Sequence, residues 1–319
     1  TFSFDWDGSI KIASKNKIKI TYSKETSGNQ ITDWQVIDED GTIYQFNTSE
    51  TSLSQSAQIS NFCSYRVEFN SSWVLTKITS PRSGTYITLT YDGYSINEGW
   101  HSLESMSHKL DGQCQGTVQG ILNSSYSDFT IYGLRLKQIK TSSNVTTVNF
   151  GVNTSTPRTD VTGTNNFSLD SIKVYNGNKL LKEFNPVYDY SATRLTLRSI
   201  KERNGSVSKN PYLFNYYPGG ATTKQSKAID YLGYANGKTS NQYLFPPCKF
   251  TPPFGTEIYF TGADRNPDSA ATCGGMLKRI TYPTKGYDDF EYELNDYIYN
   301  ANFSSLPIER YETKWMIVA

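Results

Sequence analysis

Trp73-Val-Leu75-Thr-Lys77-Ile78-Thr-Ser80-Pro81-Arg-Ser-Gly84-Thr-Tyr86-Ile87-Thr-Leu89-Thr-Tyr91-Asp92 is the stretch whose reading decides the fold. Apolar and polar residues alternate on both sides of the Ser80-Pro81…Gly84 interruption, which is the period of a half-buried strand. Proline cannot donate to a ladder, and glycine supplies the positive φ that tight connections need, so the stretch reads as strand, turn, strand. The same grammar returns at Met276-Leu277-Lys-Arg279-Ile280-Thr-Tyr282-Pro283-Thr-Lys-Gly286-Tyr287-Asp-Asp-Phe290-Glu-Tyr292-Glu293. Looser copies run from Leu134 to Phe150, from Leu169 to Tyr188 and from Leu195 to Tyr216. Nearer the start, Ile10–Ile12, Ile18–Tyr22 and Trp34–Phe46 alternate too, the last turning at Asp40-Gly41.

Each hairpin exposes an apolar face that it cannot bury alone, so neighbouring copies must continue one sheet or stack. The expected fold is all-β: repeated antiparallel hairpins and meanders forming large twisted sheets, open or sandwich-like, with little helix. The copies are unevenly spaced, so insertions must interrupt the array. Thr, Gly, Asn and Pro cluster at Ser155–Thr164, which divides the chain into an N-terminal β region, 1–160, and a C-terminal β region, 161–319. One continuous domain is the alternative. Two stretches lose the strand rhythm. Tyr94 to Gly120 reads as a short helix or long loop, and Gly219 to Pro267, rich in Gly, Pro, Asn and aromatics, reads as loops.

Composition narrows the function. With 31 basic and 30 acidic residues the net charge is +1, which gives no electrostatic reason to expect nucleic acid or an anionic membrane as partner. No apolar run reaches the roughly 18 residues of a membrane-crossing helix, so the chain itself is not expected to span a membrane. Tyr accounts for 24 residues, which suits pleated surfaces where the ring packs and the hydroxyl stays wet. The chain opens strand-like on Thr1-Phe2-Ser3-Phe4-Asp5-Trp6, with no starter Met or signal peptide, and closes on the apolar Trp315–Ala319. The expectation is a processed segment of a longer, extracytoplasmic polypeptide, at the cell surface, outer-membrane-associated or secreted.

Candidate sites are few. Cys63, Cys114, Cys248 and Cys273 form no C-x-x-C pair; four cysteines allow three pairings, and Cys248–Cys273, which bracket one loop-rich stretch, are the first choice for a disulfide. His101, His108, Asp111 and Cys114 fit no standard metal spacing and read as an ordinary loop, so no metal is expected. There is no G-x-S-x-G elbow and no P-loop, so neither a catalytic residue nor a cofactor is expected. Asp264, Asp288, Asp289, Glu291 and Glu293 are close in sequence, as a glycoside-active enzyme's paired acids would be in space, but read as a solvated face. Trp100, Tyr231, Tyr234, Asn236 and Tyr243 lie in the irregular stretches and are the candidate ligand-binding residues: aromatic faces stack on sugar rings while amides meet hydroxyls. Their alternative role is to staple loops onto sheets. Asp264-Arg265 reads as a buried structural ion pair.

These hairpins resemble YD repeats, the unit of Rhs-type and teneurin-type cell-surface proteins. The residues that carry the resemblance are Leu75…Ile78…Ser80-Pro81…Gly84…Ile87…Leu89…Tyr91-Asp92 and Leu277…Ile280-Thr-Tyr282-Pro283…Gly286…Phe290-Glu-Tyr292. Asp230-Tyr-Leu-Gly-Tyr-Ala-Asn-Gly-Lys238, Gly262-Ala-Asp264-Arg265-Asn-Pro-Asp268 and Gly275–Gly286 are similar, in that order, to segments of the large Rhs/YD-repeat surface proteins of Bacteroides-type bacteria. The resemblance implies a segment preceding the main repeat array of a larger exported protein, with no catalytic residue to carry over. The reading is therefore a non-catalytic extracellular scaffold or interaction module, whose partner is a glycan or another surface protein. A carbohydrate-binding module and a glycoside-active enzyme are the alternatives.

Overall fold

Alternating aromatic, β-branched and polar residues pair into hairpins along most of the chain. The computed structural model describes residues 2–12, 17–26, 30–58, 61–107, 121–191, 194–219, 223, 225–250 and 258–293. The first strands are β1 (Phe2–Phe4), β2 (Ile10–Ile12), β3 (Lys19–Lys24), β4 (Ile31–Ile37), β5 (Ile43–Phe46), β6 (Thr48–Gln58), β7 (Asn61–Val74) and β8 (Lys77–Thr79). Two long strands follow, β9 (Tyr86–Ser107) and β10 (Ile121–Thr141). Next come β11 (Thr146–Pro157), β12 (Phe167–Asn176), β13 (Lys179–Ser191), β14 (Arg194–Asn204), β15 (Val207–Ser208) and β16 (Tyr212–Tyr216). The last elements are β17 (Cys248–Phe250), β18 (Ile258–Phe260), the short helix α1 (Ser269–Cys273), β19 (Leu277–Thr281) and β20 (Tyr287–Asp289). None of the described helical residues forms a segment long and apolar enough to cross a membrane.

Among the described residues, sixteen strands join one antiparallel sheet, whose main path runs β20-β19-β16-β14-β13-β12-β11-β10-β9-β8-β5-β4-β3. The all-β expectation holds. Both hairpins that opened the reading form: Ser80 N donates to Thr85 O at 2.9 Å across the turn between β8 and β9, and Tyr282 N donates to Gly286 O at 2.8 Å between β19 and β20. The ladder also runs through the Ser155–Thr164 cluster, since β11 on one side pairs with β12 on the other.

Two insertions interrupt the array. The β6–β7 hairpin leaves between β5 and β8, which are themselves paired. It returns to the sheet by pairing the first half of β10, from Ser125↔Gln58 to Tyr132↔Thr51, while β11 pairs the last residues of β10, Gln138 to Lys140. The sheet therefore forks at β10. Where that strand changes partner, Leu134 N would be left without an acceptor; Glu50 Oε1 takes it at 2.8 Å, and Ser72 Oγ steadies the same carboxylate at 2.6 Å. The second insertion, 217–276, leaves between β16 and β19, which pair with each other.

Tyr94 to Ser107, read from sequence as loop or short helix, is instead a continuation of β9. Its weak alternation is overridden by pairing with β10 over the whole length, from Thr141↔Ile87 to Ile121↔Ser107.

The side chains form cross-strand rows, not a deep core. One row runs Ile20–Val36–Tyr44–Ile78–Ile87, another Leu89–Ile139–Val148–Val174. Such pairs contribute roughly 0.2–1 kcal/mol each. Among the described residues the only buried hydrophobics are Ala228 and Ala263, neither of them in the sheet. The densest aromatic packing gathers Phe2, Phe4, Tyr22, Trp34 and Trp73; Trp34 and Trp73 meet edge-on at 5.7 Å. Trp73 Nε1 and Asn70 Nδ2 both donate to Ile31 O, at 3.2 and 3.1 Å, and tie the β6–β7 hairpin to β4.

A tyrosine clasp recurs in three hairpins. Tyr91 Oη donates to Leu75 O at 2.6 Å, Tyr216 Oη to Leu197 O at 2.8 Å and Tyr292 Oη to Leu277 O at 2.9 Å. Burial raises the phenol pKa of all three above its ordinary value. Each clasp ties a tyrosine of one strand to a leucine carbonyl 15 to 19 residues earlier in the chain. Tyr91→Phe is expected to destabilise the chain by about 1 kcal/mol in denaturant titrations, the worth of one such hydrogen bond. The exposed Tyr132→Phe serves as the near-neutral control.

Candidate functional site

The insertion 217–276 departs from the sheet through a narrow neck, where Tyr217 N donates to Met276 O at 2.8 Å and Gly275 N to Tyr217 O at 3.0 Å. Side-chain amides, carboxylates and backbone carbonyls connect its loops. Asp230 closes a turn by accepting from Leu232 N and Tyr234 N, at 2.8 and 2.9 Å. Asn241 Nδ2 bridges Lys227 O and Asp264 O, and its Oδ1 accepts from Asp264 N at 2.9 Å. The segment 261–263 lies directly on the Pro246-Pro247 backbone, with Ala263 N donating to Phe245 O at 2.8 Å. Only glycine fits at 262, because a Cβ there would sit 2.1 Å from the carbonyl carbon of Pro246.

The sequence-predicted ligand residues divide on this frame. Asn236 is fully buried, at 0% exposure, and is a structural pin, not a ligand contact. Its Nδ2 donates to Asp264 O and Asn266 O, at 2.9 and 3.2 Å, and its Oδ1 accepts from Lys238 N at 3.2 Å. Tyr243 is half-buried and stacked on Phe245 with centroids 4.9 Å apart, which matches the loop-stapling role. Tyr234 is half-buried, while Tyr231 is exposed. Trp100 lies on β9 opposite Ser127, far along the chain from the other four, and its side chain lies outside the described residues. His108, Asp111 and Cys114 also lie outside them.

Two further expectations are corrected. Cys248 and Cys273 are both free thiols. Cys248 is exposed on β17, whereas Cys273 ends α1 half-buried near Tyr217 and Tyr292, whose phenol pKa values are raised chiefly by burial, with smaller contributions from neighbours that include Cys273. Arg265 does not pair with Asp264. Its guanidinium donates to the carbonyls of Asp230 and Leu244 and lies 5.5 Å from the Tyr231 ring centroid, while Asp264 has Lys238 Nζ at 3.7 Å. The fork thus takes the carbonyls of two separate loop segments, while the neighbouring carboxylate points to the surface.

The other acids are partnered or face outward. Arg279 grips Asp289 with a fork at 2.5 and 2.6 Å, which holds that carboxyl below its ordinary pKa. Asp288 accepts from Tyr282 Oη at 2.6 Å, and Glu291 and Glu293 are exposed on either side of the half-buried Tyr292.

Two depressions open beside these elements. One, of about 480 Å³, lies between the 158–166 excursion and β9; Asn97, Asp160, Thr162, Arg194 and Gln225 are among its lining. The excursion is laid onto β9 by Ser95 N donating to Thr164 O and Asn97 N to Thr162 O, at 2.8 and 2.9 Å. Asp160 is taken up by the protein itself, through Arg158 at 2.7 and 3.0 Å and Leu195 N at 3.2 Å. The other depression, about 330 Å³, lies on the insertion and is lined by Tyr231, Pro247, Tyr259, Asp264, Arg265 and Asn266. Tyr259, on β18, was not singled out in the sequence, and only its pairing opposite Lys249 brings it to this place.

Two outcomes follow. Asn236→Ala removes the donor to Asn266 O and the acceptor for Lys238 N, while Asp264 O keeps Asn241 Nδ2, and is expected to cost about 2–4 kcal/mol with loss of amide-exchange protection at Lys238. Burial raises the Asp160 carboxyl, but the Arg158 and Leu195 hydrogen bonds and the guanidinium charge together outweigh it and leave the pKa below its ordinary value of 3.8. A depressed folded-state pKa stabilises above 3.8 and is lost as pH falls through the folded value. Asp160→Asn is therefore expected to lower the melting temperature at neutral pH, with the difference from the parent shrinking below about pH 3.8.

No family model matches the chain, and no curated protein matches it. Among solved structures it is similar to the N-terminal domain of effector protein SpvB from Salmonella typhimurium, at 12% identity and a TM-score of 0.32, over 60% of this chain and 67% of that one. A likeness of that size carries no argument about fold or function.

Proposed function

We propose that this chain is a non-catalytic extracellular scaffold and interaction module, part of a larger Rhs-like surface or secreted protein. One observation carries the reading. The large sheet bears half-buried apolar rows, yet its described residues include no buried hydrophobic side chain, so the faces remain available to further chain or to a partner. Exposed Tyr132, Val187, Tyr190, Leu213 and Tyr287 lie on those strands. Among the described residues, Asp160, Asp189, Asp289 and Glu202 each have a basic partner. The hairpin resemblance and the extracytoplasmic location belong to the same proposal.

Hydroxyl-radical footprinting of the isolated chain and of the exported polypeptide that contains it tests the reading. Tyr132, Tyr190 and Tyr287 should be labelled several-fold less in the longer protein. Equal labelling in both would sink the scaffold role. Hydrolysis of any polysaccharide by the purified chain would sink the non-catalytic part.

A further inference from the structure

The depression beside Tyr231 differs from the sheet faces in having both aromatic walls and hydrogen-bonding groups. Tyr231 is 58% exposed and Tyr259 65% exposed, and both line it together with Pro247, Thr261 and Asp264. Its volume of about 330 Å³ falls at the small end of the roughly 300–1,000 Å³ typical of ligand sites. The larger depression beside Asp160 has no aromatic wall, and its Asp160, Thr162 and Gln225 side chains already bond within the protein.

The balance of donors and acceptors indicates the ligand. Arg265 is the single cation among the described lining residues, and its guanidinium is committed to the Asp230 and Leu244 carbonyls. That leaves no cationic fork for a phosphate or carboxylate. Asp264 is different. One of its oxygens accepts from Asn266 N at 3.0 Å, the other stands 3.7 Å from Lys238 Nζ, and the side chain is 45% exposed. An ionised carboxylate has about four acceptor positions, so several stay open to a ligand that brings its own donors. A molecule with O–H donors around its rim and an apolar C–H face matches aromatic walls beside such an acceptor.

We propose that this depression binds a neutral saccharide, with a pyranose face against Tyr259, ring hydroxyls donating to the Asp264 carboxylate, and Tyr231, backed by Arg265, as the second wall. The site stands independently of the scaffold reading, because it uses only the 217–276 insertion and none of the sheet faces.

The test is affinity electrophoresis of the full chain through gels containing β-glucan, xylan, galactomannan or dextran. At least one polysaccharide should retard the chain. Tyr259→Ala and Asp264→Asn should each weaken that retardation about tenfold or more, with an unchanged melting temperature. Asp264→Asn keeps an oxygen for Asn266 N, so it still decides the matter if truncating Tyr259 disturbs the loop. The proposal fails if none of the polysaccharides retards the chain, or if retardation survives both substitutions. It also fails if a decaproline peptide, the occupant expected of an aromatic groove built for polyproline, binds where the sugars do not.

Discussion

The β9–β10 ladder is the interaction on which the rest of this molecule depends. It pairs the two longest strands from Thr141↔Ile87 to Ile121↔Ser107, and on the main sheet path it joins β3, β4, β5 and β8 to β11–β14, β16, β19 and β20. Among the described residues few are fully buried, so regular backbone pairing and half-buried cross-strand rows carry much of the sheet's stability. The fork at β10 shows how strictly that pairing is kept. Where the strand passes from one neighbour to another, a glutamate from β6 accepts the amide that would otherwise be left without a partner.

A sheet that grows by adding hairpins can be interrupted wherever two paired strands are joined by chain. Both insertions use that freedom. The β6–β7 hairpin returns to the ladder and is fastened by aromatic packing and two hydrogen bonds to Ile31 O. The 217–276 insertion builds a separate interior with polar parts at its centre: Asn236, Asn241, Asp230 and Arg265 connect its loops through hydrogen bonds. Such a lattice is rigid when every member is satisfied. That rigidity lets exposed Tyr231 and Tyr259 stand at a fixed place above it.

The hairpins were legible in the sequence because a strand's side-chain period is local, and the Ser-Pro…Gly and Tyr-Pro…Gly signals mark turns by backbone chemistry alone. The tyrosine clasps were not, because Leu75, Leu197 and Leu277 offer carbonyls that no side-chain pattern announces. Residues 94–107 were missed for a related reason: their alternation is weak, and it is β10 that makes them a strand. Of the candidate ligand-binding residues, Tyr231 lines a depression, joined there by Asp264; Asn236 turned inward because it satisfies two carbonyls from a segment nearly thirty residues away.

By itself, then, the sequence determined an all-β chain of repeated antiparallel hairpins, the position of its turns, and the existence of insertions between copies. Each of these follows from side-chain period and from the conformational limits of proline and glycine, which act over a few residues. Tertiary structure alone decided which strands the insertions rejoin, that Cys248 and Cys273 stay apart, and that Arg265 takes carbonyls in preference to Asp264. It also decided that Tyr259 meets Tyr231 at one depression. Those outcomes depend on donors, acceptors and rings brought together from distant segments, and no local pattern records where such groups will meet.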